Sequence, residues 1–421
     1  MKKVLIIGHF WPYRGGSRRI FGLAKYLKKF GWEPIIITGL LERKPDFNVR
    51  YEEIHYPCFL GFKTKRDIGD QLKEKSESLP SGVKYFFLKP IYNFIREILA
   101  YPDEHKYWAK PAIKKATEII KKEKIDAIIS VWPVTSHLIA KELKEKYKIP
   151  WIADFPDPWS QNHNYPYSFI RKYFDEKLEL KTLCNADALT AAAPLYANRE
   201  EKFHKRPVFL ITQGFDPENL NHPMPSLTQK FTITYPGTIY VNKQNPGKFF
   251  AVLEKLIFKK IIDPKDIEVR FYGQFQYWLE KEIKKFNLSG VVNQYGLVSR
   301  HESLQKQKES HLLLLLNWED VKEKGVIPSK LFEYLASKRP IFATGGFPGD
   351  NVEKILIETK AGVYAPTFKQ IENSLLSFYQ EYKNTGKIDY KCDLKRINNY
   401  SYRKMAKKFA DILNQVCEQQ D

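Results

Sequence analysis

Only four cysteines occur in 421 residues: Cys58, Cys184, Cys392 and Cys417. They are far apart and form no CxxC pair. That excludes a disulfide scaffold or a zinc framework of paired thiols, and suits free thiols in a reducing compartment. No uninterrupted apolar run is long enough to span a bilayer. The opening Met1-Lys2-Lys3-Val4-Leu5-Ile6-Ile7 stops at Gly8-His9, so it reads as a buried first strand and not as a signal peptide. The expected location is cytoplasmic, with attachment at the inner face of the cytoplasmic membrane left open. There is no GxGxxG, so a dinucleotide fingerprint is not supported. Neither an internal repeat nor a low-complexity tract stands out, and no spacing suggests a metal-ligand cluster. Acidic residues are in short supply, 49 against 69 Lys plus Arg, for a net charge of +20. Such an excess fits nucleic acid, an anionic membrane surface, or phosphorylated ligands. No RNA- or DNA-binding module is recognisable, so nucleic acid is set aside.

What is present is a repeated alternation of short apolar runs and helical patterns. The length calls for two domains or slightly more. Val4 to Ile7 reads as a strand of the kind buried in a parallel sheet. A turn with paired glycines, Gly15-Gly16, follows, then a helix marked by Ile20, Leu23, Ala24 and Leu27, then a strand from Pro34 to Thr38. This is a βαβ unit. Further strands are expected at 127–130, 149–153, 188–192 and 208–211. The polar, proline-containing stretch 219–229 reads as a linker. The pattern then restarts with strands at 231–236, 267–273, 291–295, 311–316 and 341–343. The fold class is therefore α/β, with two Rossmann-like parallel-sheet domains. The first covers 1–218 and the second 230–399, with an amphipathic helix over about 400–421.

Three segments carry candidate chemistry. In the first, Pro328 suits the start of a helix, and Phe332, Leu335 and Ala336 give that helix a buried stripe. Ser329, Lys330 and Glu333 share its other face. A helix N-terminus suits a diphosphate, and one ionised carboxylate can accept from the two hydroxyls of a ribose. A plain amphipathic helix with a surface Glu is the competing reading. The second segment, Ala153-Asp154-Phe155-Pro156-Asp157-Pro158-Trp159, places Asp154 and Asp157 at a strand's carboxyl end, where α/β sheets bind ligands. Turn formation and capping are the alternative for both. In the third, residues 57–125 interleave aromatic and basic side chains. This pattern fits either an interfacial membrane contact or a helical insertion packing on its own sheet.

Pro328-Ser329-Lys330-Leu331-Phe332-Glu333-Tyr334 resembles the donor-binding helix of the GT-B glycosyltransferases, most closely a subgroup of glycosyltransferase family 4. Asp154-Phe155-Pro156-Asp157-Pro158-Trp159 is similar to that subgroup's Asp-Phe-Arg-Asp-Pro-Trp, with Ser136-His137 ahead of it. Pro156 departs from the usual Arg, and Gly325 stands where the family often has a second Glu. Gln213-Gly214-Phe215-Asp216, Tyr235-Pro236-Gly237-Thr238 and Gly296-Leu297-Val298-Ser299 match further loops in order along nearly the whole chain.

The resemblance implies a GT-B fold whose domains face a central cleft, with the last helix crossing back to the first domain. It implies a retaining, metal-independent, hexosyltransferase-type enzyme, with a nucleotide-diphosphate sugar as co-substrate and no other cofactor. Gly15, Gly16, Thr238, Lys243, Val298, Ser329, Lys330 and Glu333 are then the expected donor contacts, with Lys248 as second choice to Lys243. Asp154, Asp157, Lys243 and Lys330 are the expected catalytic group, Asp154 and Asp157 lying on the acceptor-side domain. A glycan or lipid-linked acceptor from cell-envelope polysaccharide or lipopolysaccharide-type synthesis is expected. Two alternatives stand beside it. One is a nucleotide-sugar 2-epimerase of the same fold, using Asp154, Asp157 and His137. The other is a non-catalytic nucleotide-sugar-binding protein.

Overall fold

Leu312 to Leu316 is five leucines in a row, which neither an exposed strand nor a one-sided strand would tolerate. In the computed structural model it lies inside a parallel sheet with both faces covered. Leu312, Leu314 and Leu316 enter one core; Leu313 and Leu315 enter another. The structure describes residues 1–9, 17–39, 41, 44–56, 97–162, 165, 167–241 and 243–419.

The chain divides into two units. The first comprises Met1–Thr212 and Met405–Asp421, the second Gln213–Lys404. The first unit holds strands β1 (Lys2–Ile7), β2 (Trp32–Thr38), β3 (Arg50–Glu53), β4 (Ala127–Ser130), β5 (Trp151–Phe155), β6 (Ala188–Ala191) and β7 (Val208–Leu210). They form one parallel sheet in the order β3-β2-β1-β4-β5-β6-β7. Its helices are α1 (Ser17–Tyr26), α2 (Ala109–Lys122), α3 (Val134–Tyr147), α4 (Phe169–Leu183) and α5 (Pro194–His204). The strand order reverses direction between β1 and β4, the switch point at which doubly wound sheets bind ligands.

The second unit repeats this plan. Its strands are β8 (Phe231–Pro236), β9 (Ile267–Tyr272), β10 (Val292–Gly296), β11 (Leu312–Leu316), β12 (Ile341–Thr344) and β13 (Gly362–Ala365), in the order β10-β9-β8-β11-β12-β13. Here the switch point falls between β8 and β11. The helices are α6 (Gly247–Phe258), α7 (Tyr277–Lys285), α8 (Arg300–Lys308), α9 (Ser329–Ala336), α10 (Asn351–Thr359), α11 (Phe368–Thr385) and α12 (Leu394–Asn398). A last helix, α13 (Tyr402–Glu418), starts in the second unit, and from Met405 onward its residues belong to the first.

Two strands are not anticipated by the sequence pattern. β3 reads Arg-Tyr-Glu-Glu and β13 reads Gly-Val-Tyr-Ala, and both lie at sheet edges, where short or charged strands are usual. The change of unit comes at Thr212–Gln213, before the expected linker. Phe215 explains why: its N–H donates to Tyr400 O at 3.1 Å and its carbonyl accepts from Tyr402 N–H at 2.7 Å, which ties this turn into the second unit. Among the described residues, no helix is long and apolar enough to cross a membrane. The aromatic and basic stretch over 57–125 lies outside the described residues as far as residue 96; from residue 109 it forms α2.

Candidate functional site

The carboxyl ends of β8 and β11 and the start of α9 gather the polar groups of the second unit. α9 opens at Pro328, which makes no side-chain cap, and its first turn holds no acidic residue. Pro328 itself therefore offers the leading N–H groups no side-chain acceptor at the positive end of the helix dipole. Lys330 lies in that same first turn, where a cation is unfavourable unless an anion sits nearby. Its ammonium stands 4.8 Å from the centre of the Tyr235 ring and donates to Thr238 O at 3.4 Å. Gly237 makes room for it. With φ at +101°, Gly237 adopts a conformation that L side chains avoid, and a Cβ there would lie 3.0 Å from Lys330 Cε. Ser329, next to Lys330 in the chain, and Thr238 are both exposed. Together these groups set one cation and two hydroxyls at a helix N-terminus, the sign of charge that a phosphate takes.

One turn along, Glu333 is fixed from α8. Its Oε1 accepts from Gln307 Nε2 at 2.7 Å, and its Oε2 faces Arg300 at 3.3 Å. Gln307 is fully buried and is itself held by Ser337, whose hydroxyl donates to Gln307 Oε1 at 2.8 Å. The carboxylate is thus aimed by a chain of side chains from Ser337 through Gln307. Val298, on the loop between β10 and α8, is half-buried two residues before Arg300.

Lys243 and Lys248 follow the β8 turn. Lys243 Nζ lies 3.7 Å from Glu323 Oε1, and its carbonyl accepts from Glu319 N–H at 2.9 Å. Lys248 pairs with Glu319 Oε1 at 2.8 Å. Both lysines are therefore engaged with the loop after β11, whereas Lys330 lies against the β8 turn. The loop after β12 completes this end of the sheet. A Cβ on Gly346 (φ +76°) would lie 2.4 Å from both Asn317 Nδ2 and the Tyr364 hydroxyl. Asn317 is buried and donates to Asp350 Oδ2 at 2.9 Å, so it has no room to yield.

In the first unit the structure gives Asp154 a different place from the one expected. It has no solvent exposure, and Arg19 grips it with two hydrogen bonds of 2.7 Å. Thr190 donates to it at 2.5 Å, while Arg19 also donates to Ile211 O at 2.6 Å. Asp154 is a structural clamp joining α1 to β5, β6 and the end of β7, not a group open to substrate. Asp157, three residues on, is exposed on the loop after β5. His137 is buried, stacks on Phe155 with ring centres 4.9 Å apart, and shares a 2.7 Å hydrogen bond with Ser130. Burial pulls its pKa down to about 3, so it is neutral and packed. Gly15 and Gly16 lie outside the described residues.

No family model matches the chain, and no curated protein matches it. Solved structures do. A glycosyltransferase from Rickettsia africae ESF-5 aligns over 99% of this chain and 98% of its own, with a TM-score of 0.60 and 15% identity. A point mutant of S. aureus TarM, solved with fondaparinux, alpha-GlcNAc-glycerol and UDP, aligns over 98% of this chain and 100% of its own, at 0.58 and 10%. WaaG, a glycosyltransferase involved in lipopolysaccharide biosynthesis, aligns over 99% and 98%, at 0.53 and 10%. The fold is GT-B. At these identities the likeness shows GT-B architecture alone.

Within this GT-B framework, sequence reasoning misses Arg300, Gln307 and Ser337, which orient Glu333 from positions 26 to 33 residues away or from the next turn. It also misses a histidine cluster at the end of β1. His9 Nε2 and His105 Nδ1 both contact the Tyr56 hydroxyl, at 2.6 and 2.9 Å. Burial, reinforced by His105, holds the His9 pKa down to about 2. The turn that His9 begins stands out in the sequence for its glycines, and nothing local marks Tyr56 or His105 as partners of the histidine.

Proposed function

We propose that the chain is a retaining glycosyltransferase that moves a hexosyl group from a nucleotide-diphosphate sugar to an acceptor hydroxyl. The observation that carries the reading is the first turn of α9: an uncapped helix N-terminus with Lys330 in it, one turn before a carboxylate aimed by Gln307. A diphosphate would find positive charge in this turn, from Lys330 and the helix dipole, and the ribose hydroxyls would donate to Glu333. The base would lie beside Val298, and Ser329 and Thr238 would offer hydroxyls to the phosphates. Lys243 would add charge on the β8 side once drawn from Glu323. The first unit would serve the acceptor, with Asp157 the exposed residue of the loop after β5.

In the reaction, the bond between the sugar's anomeric carbon and the diphosphate oxygen breaks as the acceptor oxygen bonds to that carbon. The acceptor proton passes to a donor phosphate oxygen, which replaces a protein base. Negative charge gathers on the leaving diphosphate, where fixed N–H groups and Lys330 stabilise it most. This route uses no metal. The TarM complex with UDP and alpha-GlcNAc-glycerol supports a donor and a glycan-like acceptor by analogy. WaaG supports cell-envelope or lipopolysaccharide-type glycan synthesis in the same way. The 2-epimerase reading is weakened by the buried, fully engaged Asp154 and the packed His137, which offer no acid/base pair.

The test is incubation with UDP-, GDP-, ADP- and dTDP-sugars and simple glycoside acceptors. Expected is nucleotide diphosphate release that rises with acceptor and yields a product with the donor's anomeric configuration. Isomerisation of a nucleotide sugar without acceptor would replace this reading with the epimerase. Donor binding without turnover on any acceptor would replace it with the non-catalytic one.

A further inference from the structure

Two buried carboxylates in the first unit have no part in the chemistry above. Glu179 on α4 and Glu200 on α5 have no solvent exposure, and His204 follows Glu200 by one helical turn on the same face. One oxygen of each Glu and a ring nitrogen of His204 lie within 4.8 Å of one another. His204 Nε2 is 3.3 Å from Glu179 Oε1 and 3.2 Å from Glu200 Oε2. The other Glu179 oxygen accepts from the Ser160 hydroxyl and, at 2.9 Å, from the Ser160 N–H. Neither oxygen of Glu200 makes a well-formed hydrogen bond.

Charge and distance both point to an ion. Two carboxylates cannot remain ionised in a dry interior without compensation. With both carboxylates ionised, a protonated imidazole leaves one negative charge over. A divalent cation with a neutral imidazole brings the group to zero. Charge-assisted N–O hydrogen bonds run at about 2.7–2.9 Å, shorter than either contact here. Two ligand atoms about 2.0–2.2 Å from one tetrahedral ion lie about 3.3–3.6 Å apart, close to what is found.

We propose that Glu179, Glu200 and His204 form a structural site for a divalent transition cation of the zinc class, locking α4 to α5. Because Glu179 also holds the buried Ser160, three residues beyond Asp157, the ion steadies the loop after β5 from within the protein. The site is independent of the proposed transfer reaction.

The test uses the full chain stripped with a chelator and titrated with Zn²⁺ or Mn²⁺. Bound metal is counted after free ion is removed, and the melting temperature is followed. Expected is one retained equivalent and a rise in Tm, with the equivalent lost in His204→Gln and Glu200→Gln. Glu200→Gln resembles the protonated carboxyl and keeps the fold in either case. Ser160→Ala, which only loosens Glu179, weakens metal binding about 10-fold or more. Two results would overturn the proposal. One is a parent chain that retains no equivalent and shows no Tm change, which would make the cluster a histidine–carboxylate ion pair. The other is undiminished retention in both Gln variants, which would place the ion elsewhere.

Discussion

Lys330 and Glu333 sit one turn apart and are held differently: Lys330 against Tyr235 and Thr238 O, Glu333 by Gln307 and Arg300. Glu333→Gln keeps the size of the side chain and loses the charge. Hydrogen bonds to a charged group contribute about 1.5–3 kcal/mol each, so nucleotide diphosphate affinity should fall about 10-fold or more, read by calorimetry. Asp154 is a sharper case of a residue whose role depends on distant partners. Its Asp-x-x-Asp setting suggests chemistry, but Arg19 reaches it from 135 residues away, and no local pattern reveals that. Removing one member of a fully buried pair strands the other charge. Asp154→Asn should therefore cost about 3–5 kcal/mol in urea unfolding, with donor affinity unchanged in the folded fraction. His137 carries a pH signature. Its pKa is lowered from the ordinary 6.5 to about 3, so between those values the unfolded chain binds a proton that the folded chain refuses. Its contribution is complete above pH 6.5 and declines as pH falls toward 3, by about 1.4 kcal/mol per pH unit. Stability of the parent should drop between about pH 6.5 and 4.5, and His137→Gln should flatten that slope. An unchanged slope would assign the effect to other groups such as His9.

At the scale of elements, the central strands and the edge strands β7 and β10 are legible in the sequence, and the edge strands β3 and β13 are not. Five leucines announce a strand buried on both faces, and β11 is one. Leu314→Ala at its middle should cost about 2–5 kcal/mol in unfolding free energy. β3 and β13 carry charged or small residues because only one side of each pairs, and the apolar signal fades there. The start of α9 is legible through Pro328 and the apolar stripe behind it. The contribution of α8 is not, because Gln307 and Arg300 matter only once β11 has placed the two helices side by side. The paired glycines after β12 are visible as a turn. Their steric necessity emerges only with Asn317 and Tyr364 in place.

At the scale of the molecule, each unit is a complete parallel α/β sheet with its own switch point, and the second unit gathers its polar groups at that point. The function proposed above has the second unit bind a nucleotide diphosphate through the first turn of α9. The decisive measurement is thermal stabilisation of the chain by a panel of nucleotide diphosphates and their sugars, repeated on Glu333→Ala and Lys330→Ala. At about a hundred times its dissociation constant, the right nucleotide should add about 2.7 kcal/mol to the parent. Most of that gain should vanish in both variants. If no nucleotide stabilises the parent, or if both variants keep the full shift, the first turn of α9 is not a nucleotide site.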